Sequence, residues 1–393
     1  MSFDDKVVHQ LALLREQNLF RELRRVDSPQ APEIEIADRR LLNFSSNDYL
    51  GLANHPAVKR AAAAAIDKFG AGAGASRLVC GSLEPFHELE AALAQFKKTK
   101  AALTFSSGYA AAQGAIGALV GSTDIIILDK LVHASIVDAA KLSGAKLRVF
   151  AHNDLEDLEK KLKWAANTRS PAADKHILVV TESIFSMDGD AAPLREIVAL
   201  KEKHDAWLMV DEAHATGIIG QNGRGLAEHF GVSHQIEVQM GTLGKALGAS
   251  GGFICGSRPL IDLLVNRARS FIFSTAPVPA AAAAAAAAIQ LTQSAEGETL
   301  RQGLEARITE FHSGIGNQKP NVLSAIVPII LGSESKAVEA AKNLLTQNLF
   351  VPAIRYPAVA RGSARLRVTL SAAHTVEQVS SLIAALKKWD IGI

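Results

Sequence analysis

Lys245 is the one charged side chain in "GTLGKALGASGG" (241–252), among residues that are otherwise small or apolar. A solvated loop is the ordinary setting for a lysine, because an ammonium is almost never fully buried without a partner. A phosphate-binding loop would need G-x-x-x-x-G-K-[ST], and Gln239 and Ala246 break that pattern twice. The remaining chemistry is an amine kept poorly solvated, neutral often enough to attack a carbonyl.

That chemistry needs partners, and several polar residues follow short apolar runs. Asp211 and His214 lie in "DEAHATG" directly after "AWLMV", where Asp211 is desolvated and calls for a cation. D-x-x-H also has metal-pair spacing, but no third ligand follows at suitable spacing, so no metal is expected. Glu182, Ser186 and Asp188 follow "HILVVT", and His133 follows "DIIIL". A lone histidine is usually structural, and its placement after such a run raises a cofactor role. After "AALTF" comes "SSGYAA", which reads equally as a plain tight turn or as an anion site of backbone N–H groups at a helix start.

The elements that would position these residues form one pattern. From about residue 56, helical stretches alternate with apolar runs of strand length: 101–105, 124–128, 146–150, 176–181, 206–210, 236–240 and 251–256. Runs apolar on both faces and separated by helices predict an α/β fold with a mostly parallel seven-stranded sheet. In open sheets of this kind ligands bind beyond the carboxyl ends of the strands. Residues 4–26 have the spacing of an amphipathic helix, and the alanine-rich "APVPAAAAAAAAAIQL" reads as a packed helix. Past residue 290, "SAIVPIIL" and "RLRVTL" among helices predict a smaller α+β domain. The expected division is 1–55 as N-terminal helix and arm, 56–288 as the large domain and 289–393 as the small one.

Composition narrows the partners. The 393 residues carry a net charge of +2, which gives no reason to expect nucleic acid or an acidic membrane surface. The N-terminus lacks an apolar signal core, and two cysteines without metal-like spacing suit a reducing cytoplasm.

Taken together, the strand-end residues supply an amine, a carboxylate, an aromatic imidazole and an anion cradle. Pyridoxal phosphate asks for that set: a lysine for its aldehyde and a carboxylate for its ring nitrogen. "GASGG" also satisfies G-x-S-x-G formally, with Asp262 and His374 following Ser250 in hydrolase order, but that motif needs a strand before the serine, and here "FIC" comes after it. "FGAGAGASR" resembles a dinucleotide fingerprint, yet it follows a helical stretch and reads instead as a loop bordering the site.

From "NFSSNDYLGLANHP" through "FGAGAGASRLVCGSLEPFHELE", "HASIVDAA", "TESIFSMDGDAAPL", "VDEAHATGIIGQNGRG" and "TLGKALGASGG" to "FIFSTAPVP" and "RLRVTLSAAHT", the chain resembles the α-oxoamine synthases among the fold-type-I pyridoxal phosphate enzymes. The resemblance implies that Lys245 is the Schiff-base lysine, Asp211 the pyridinium partner and His133 the histidine stacked on the ring. It implies ring-oxygen contacts from His214 and Ser186, and a phosphate site of Thr242 with the backbone of Gly108 and Tyr109. Thr275 matches a phosphate contact given across a homodimer. Asn47, Glu182 and Arg355 match substrate positions, Arg355 facing a carboxylate, and an N-terminal arginine joins them: Arg24 matches best, with Arg21 and Arg25 close by. Ala112 stands where the family often has Asn, which leaves the backbone anion site intact. Decarboxylative condensation of an amino acid with an acyl thioester is the reaction implied. "NFSSNDYLGL" and the chain length look most like the biotin-pathway branch, which implies L-alanine and a pimeloyl thioester of CoA or a carrier protein. Siblings using glycine or serine share the same core.

Overall fold

The computed structural model describes residues 1–168, 175–316, 322 and 324–389. The strands run, in chain order, β1 (Glu33–Ile36), β2 (Arg39–Asn43), β3 (Ala101–Phe105), β4 (Ile125–Asp129), β5 (Lys146–Phe150), β6 (Ile177–Glu182), β7 (Trp207–Asp211), β8 (Val238–Thr242), β9 (Gly252–Gly256), β10 (Ile326–Gly332), β11 (Leu349–Phe350), β12 (Ala353–Ile354) and β13 (Ala364–Thr369). The first five helices are α1 (Phe3–Glu16), α2 (Pro56–Phe69), α3 (Glu84–Lys97), α4 (Gly108–Leu119) and α5 (Ala134–Ser143).

The chain divides into two compact units, one of residues 52–186 and 190–301, the other of 1–51, 187–189 and 302–393. The expected boundaries were 56 and 289; the later division falls inside the helix Ala295–Gly314.

In the larger unit seven strands are ordered β3-β9-β8-β7-β6-β4-β5, all parallel except β9, which runs against both neighbours. Every residue of β3, β4, β6 and β9 is buried, which is why these segments lack alternation in sequence. The order reverses between β4 and β6, the kind of switch point that leaves a crevice at the strands' carboxyl ends. Pro279–Thr292, the alanine-rich segment, is a helix packed on α2 and α3, with Ala282, Ala285 and Ala288 buried where small side chains allow close approach. No helix among the described residues is long and apolar enough to cross a membrane.

The smaller unit holds two three-stranded sheets. β1 and β2 form a hairpin whose two turn residues, Ala37 and Asp38, both have positive φ, as a tight mirror-image turn requires; β2 then pairs in parallel with β11. β13 lies between β10 and β12, antiparallel to each.

Two expected elements are corrected. The helix expected over 4–26 ends at Glu16: Asn18 takes φ +56°, and the N–H of Leu19 turns back to Leu14 O at 2.8 Å. Asn tolerates that left-handed step, which closes the helix. The run 236–240 shifts to 238–242, because Glu237 is held before the strand, its carboxylate taking the Leu208 N–H at 2.7 Å and the Lys201 ammonium at 2.6 Å.

Candidate active site

Lys245 lies in the connection between β8 and β9, an antiparallel pair closed in register by Thr242 and Gly252. Within that loop the N–H of Leu243 bonds Gly251 O, Ala249 N–H bonds Leu243 O, and Gly248 N–H bonds Lys245 O. Gly248 has φ +60°, and a Cβ there would come within 2.4 Å of the Ala53 nitrogen, so the turn needs glycine. Leu243, Ala246 and Leu247 are buried, which leaves Lys245 half-buried with its Nζ 2.7 Å from His214 Nε2.

His214 is itself buried, on the loop after β7. Asp211 ends β7, directly in register with Glu182 at the end of β6. Both carboxylates are buried, at 6 % and 2 % exposure. Burial pushes the Asp211 carboxyl up, with Lys245 and the Ala213 N–H (2.9 Å) pulling it back. Glu182 is pushed up to about 8, by burial first and then by Asp211. Glu182 accepts the N–H groups of His133 and Ser186, so it ties the loop after β4 to the segment after β6.

His133 caps α5: its Nδ1 accepts the Ser135 N–H at 3.2 Å. The same Nδ1 lies 2.8 Å from Ser135 Oγ, and a nitrogen that accepts carries no proton, so this contact favours the neutral ring. Burial acts the same way, holding this imidazole below its ordinary range.

Ser107 caps α4 through the Ala110 N–H, and the first internal bond of the turn runs from Ala111 N–H to Ser107 O. The N–H groups of Gly108 and Tyr109 precede that bond, where a helix presents donors to anions. Thr242 borders them, 3.8 Å from a Cβ placed on Gly108. Its hydroxyl donates to Gly251 O and accepts the Gly244 N–H. Gly252 makes this approach possible, since any side chain there would meet Ser107 O at 2.4 Å. Ala112 is fully buried in α4.

The larger unit therefore brings Lys245, His214, Asp211, Glu182, His133, Ser186, Thr242, Gly108 and Tyr109 to the carboxyl end of its sheet. Thr275 is exposed and bridges to Ser76. Asn47, Arg24 and Arg355 belong to the smaller unit. Asn47 Oδ1 accepts from Tyr49 Oη and Arg367 Nη1. Arg355 donates to the carbonyls of Asn18 and Phe20, while its Nε is buried without a hydrogen bond among the described residues. Burial lowers its pKa, and the charge of Arg21 lowers it further. Arg21 is thus the N-terminal arginine beside Arg355; Arg24 lies over the Phe350 ring and Arg25 pairs with Asp27.

Ser250 lies in the loop ahead of β9, with no strand leading into it. His374, in the smaller unit, accepts the Ser371 N–H and bonds Asn43 O, so both ring nitrogens are engaged. No group of three or more His, Cys, Asp or Glu side chains suited to a metal occurs among the described residues.

Sequence reasoning missed His152, which bonds Asp129 and Asp190 behind this site. Its signal was "HND" just beyond the run "KLRVF".

A curated relative from Anaeromyxobacter dehalogenans, named 8-amino-7-oxononanoate synthase, is 49% identical over 97% of this chain and 94% of its own length. Another of that name, from Geotalea daltonii, is 46% identical over 96% and 95%. Among solved structures, a serine palmitoyltransferase variant from S. paucimobilis with a bound PLP–myriocin aldimine matches with a TM-score of 0.91 and 31% identity, covering 99% of this chain and 98% of that one. The family model for aminotransferase class I and II matches residues 39–386. The chain belongs to the aminotransferase class I and II family, in its α-oxoamine synthase branch.

Proposed function

We propose that the chain carries the activity for which its curated relatives are named. It condenses L-alanine with a pimeloyl thioester, of CoA or of a carrier protein, to give 8-amino-7-oxononanoate, CO2 and the free thiol. The observation that carries this reading is a single half-buried amine hydrogen-bonded to His214, in a cluster with a buried carboxylate, Asp211, and a neutral imidazole, His133.

The donor set fits pyridoxal phosphate. Burial has pushed Asp211 up in a way that a bonded cation would reverse, and a protonated ring nitrogen is that cation. Lys245 would hold the aldehyde, His133 would stack on the ring, and Thr242 with the N–H groups of Gly108 and Tyr109 would take the phosphate. His214 and Ser186 would border the ring oxygen. When bound, the cofactor supplies the electron sink for charge left on the α-carbon. With the cofactor bound, Lys245 Nζ would be the base placed to take the α-proton, and His214 Nε2 at 2.7 Å would steady that amine. The net reaction would form the bond from the α-carbon to the thioester carbonyl carbon, break the C–S bond to free the thiol, and release the carboxylate as CO2 with a proton returned to the α-carbon. Asn47, Glu182 and Arg355 serve the substrates together with an N-terminal arginine, Arg24 by the family match, while Arg21 is the one whose charge reaches Arg355.

The working form is a homodimer in the cytoplasm. The strip joined by the Ser76–Thr275 bridge exposes Leu78, Val79, Phe273 and Val278, apolar side chains that suit a second copy, and both cysteines are free thiols. Thr275 would then reach the partner's phosphate site.

A sibling using glycine or serine is the second reading, favoured by the backbone likeness to serine palmitoyltransferase. The test is kcat/KM for alanine, glycine and serine against pimeloyl, acetyl, succinyl and palmitoyl thioesters. Alanine with the pimeloyl thioester is expected to lead. Its margin over glycine is modest, because one methyl in an apolar pocket is worth only about 1–3 kcal/mol. A lead for glycine with acetyl-CoA would move the chain to the aminoketobutyrate branch.

A further inference from the structure

His152 lies two residues beyond β5, and each of its ring nitrogens faces a carboxylate. Nδ1 is 2.9 Å from Asp129 Oδ1 and Nε2 is 2.8 Å from Asp190 Oδ2. A neutral imidazole carries one N–H, and two carboxylate oxygens need two. Asp129 also takes the N–H groups of Leu131 (2.8 Å, on Oδ1) and Asn153 (2.9 Å, on Oδ2), so both of its oxygens already accept. Asp190 Oδ2 takes the Asn153 amide at 2.9 Å as well. Its Oδ1 is buried with no hydrogen-bond partner among the described residues. Two N–H groups on the ring serve both carboxylates, and the Asn153 amide, 3.3 Å from Nε2, then spends its hydrogen on Asp190 Oδ2. Burial alone would pull the ring's pKa down, but the bonds to Asp129 and Asp190 push it up to about 10.

The two carboxylates belong to segments that carry site residues. Asp129 ends β4, four positions before His133, and holds the intervening loop through Leu131. Asp190 O accepts the Phe185 N–H, Ala191 bridges to Ile184, and Ala192 N–H bonds Ser183 O, which folds back the segment leading from Glu182 to Ser186. The Phe185 ring meets His152 edge-on, with centroids 4.3 Å apart. These two segments meet again at the bond from His133 N–H to Glu182.

We propose that His152 is a positioning residue: held as an imidazolium between Asp129 and Asp190, it fixes the loop carrying His133 against the segment carrying Glu182 and Ser186, and so sets the plane of the His133 ring. What His133 faces rests on the cofactor reading above; the charge on His152 does not.

Nitrogen-15 NMR of the histidine-labelled full chain, without cofactor, tests the charge, with His152→Phe identifying its signals. Both ring nitrogens are expected to keep protonated shifts from pH 6 to 9; titration near pH 6.5 would overturn the proposal. His152→Phe keeps a ring against Phe185 and donates nothing, while Asp190→Asn is the milder change should the first variant fail to fold. With pyridoxal phosphate added, either variant is expected to lose about tenfold to a hundredfold in kcat, as misplaced groups do. KM for the amino acid should stay within about twofold, and the visible circular dichroism of the bound cofactor should change. Wild-type dichroism together with wild-type kcat in Asp190→Asn would also overturn the proposal. A wild-type chain that takes up no pyridoxal phosphate would sink the cofactor reading instead, with the NMR result standing apart.

Discussion

Asp211 and Glu182 are neighbours in register on adjacent strands, two buried carboxylates with opposite demands. Asp211 gains from a cation. Replacing it with Asn should leave cofactor binding detectable while lowering kcat by about 10²–10³, the usual loss for one well-placed electrostatic partner; steady-state kinetics showing near-normal turnover would count against the pairing. Glu182 keeps its proton in the folded chain up to about pH 8, whereas its ordinary value is 4.5. Across that window the folded state binds more protons than the unfolded one, so stability of the cofactor-free chain falls as pH rises from 4.5 toward 8. Glu182→Gln should flatten that slope, which urea melts at pH 5.5 and pH 8 will measure; an unchanged slope would show that the proton resides elsewhere. Lys245 stood out in the sequence as the one charge in an apolar stretch, and Asp211 as the residue that ends the run "AWLMV", with Glu212 beside it. His152 did not, because its partners lie 23 and 38 residues away and only the sheet brings them together.

Among the elements, the strands were the most readable, since burial on both faces removes polar residues from the run. Even β5, at the sheet's edge and only partly buried, stood where "KLRVF" placed it. Helix α1 misled because apolar spacing continues through Leu19, which is buried although the helix has already ended. Periodicity reports which side chains face inward, and a turn can satisfy it as well as a helix. The closeness of β9 to the start of α4 was also invisible, because it depends on an atom Gly252 lacks. Gly252→Ala would drive a methyl into Ser107 O and the Gly108 nitrogen, pushing the first N–H groups of α4 off line. Weaker binding of pyridoxal phosphate, by tenfold or more on the scale of a displaced contact, is expected in fluorescence titrations; unchanged affinity would place the phosphate elsewhere.

For the molecule as a whole, the proposed homodimer is open to direct measurement. Sedimentation of the wild-type chain should give a dimer at assay concentration, and Val79→Glu should shift it toward an inactive monomer; a fully active monomer would refute the shared site. Sequence could not foresee that β2 pairs with β11, a contact joining Leu42 to Leu349 across most of the chain. The antiparallel β9 carries a similar consequence for how the protein is made. β3 lies at the sheet's edge with β9 as its sole strand neighbour. As the chain leaves the ribosome, β3 waits for a partner about 150 residues downstream, roughly 7–30 s at ordinary synthesis speeds. The helix start that presents Gly108 and Tyr109 follows β3 directly, and the loop bearing Lys245 emerges just before β9. Both ends of the proposed cofactor cradle would therefore become firm only once β9 has emerged. Uptake of pyridoxal phosphate would then report that the sheet has closed.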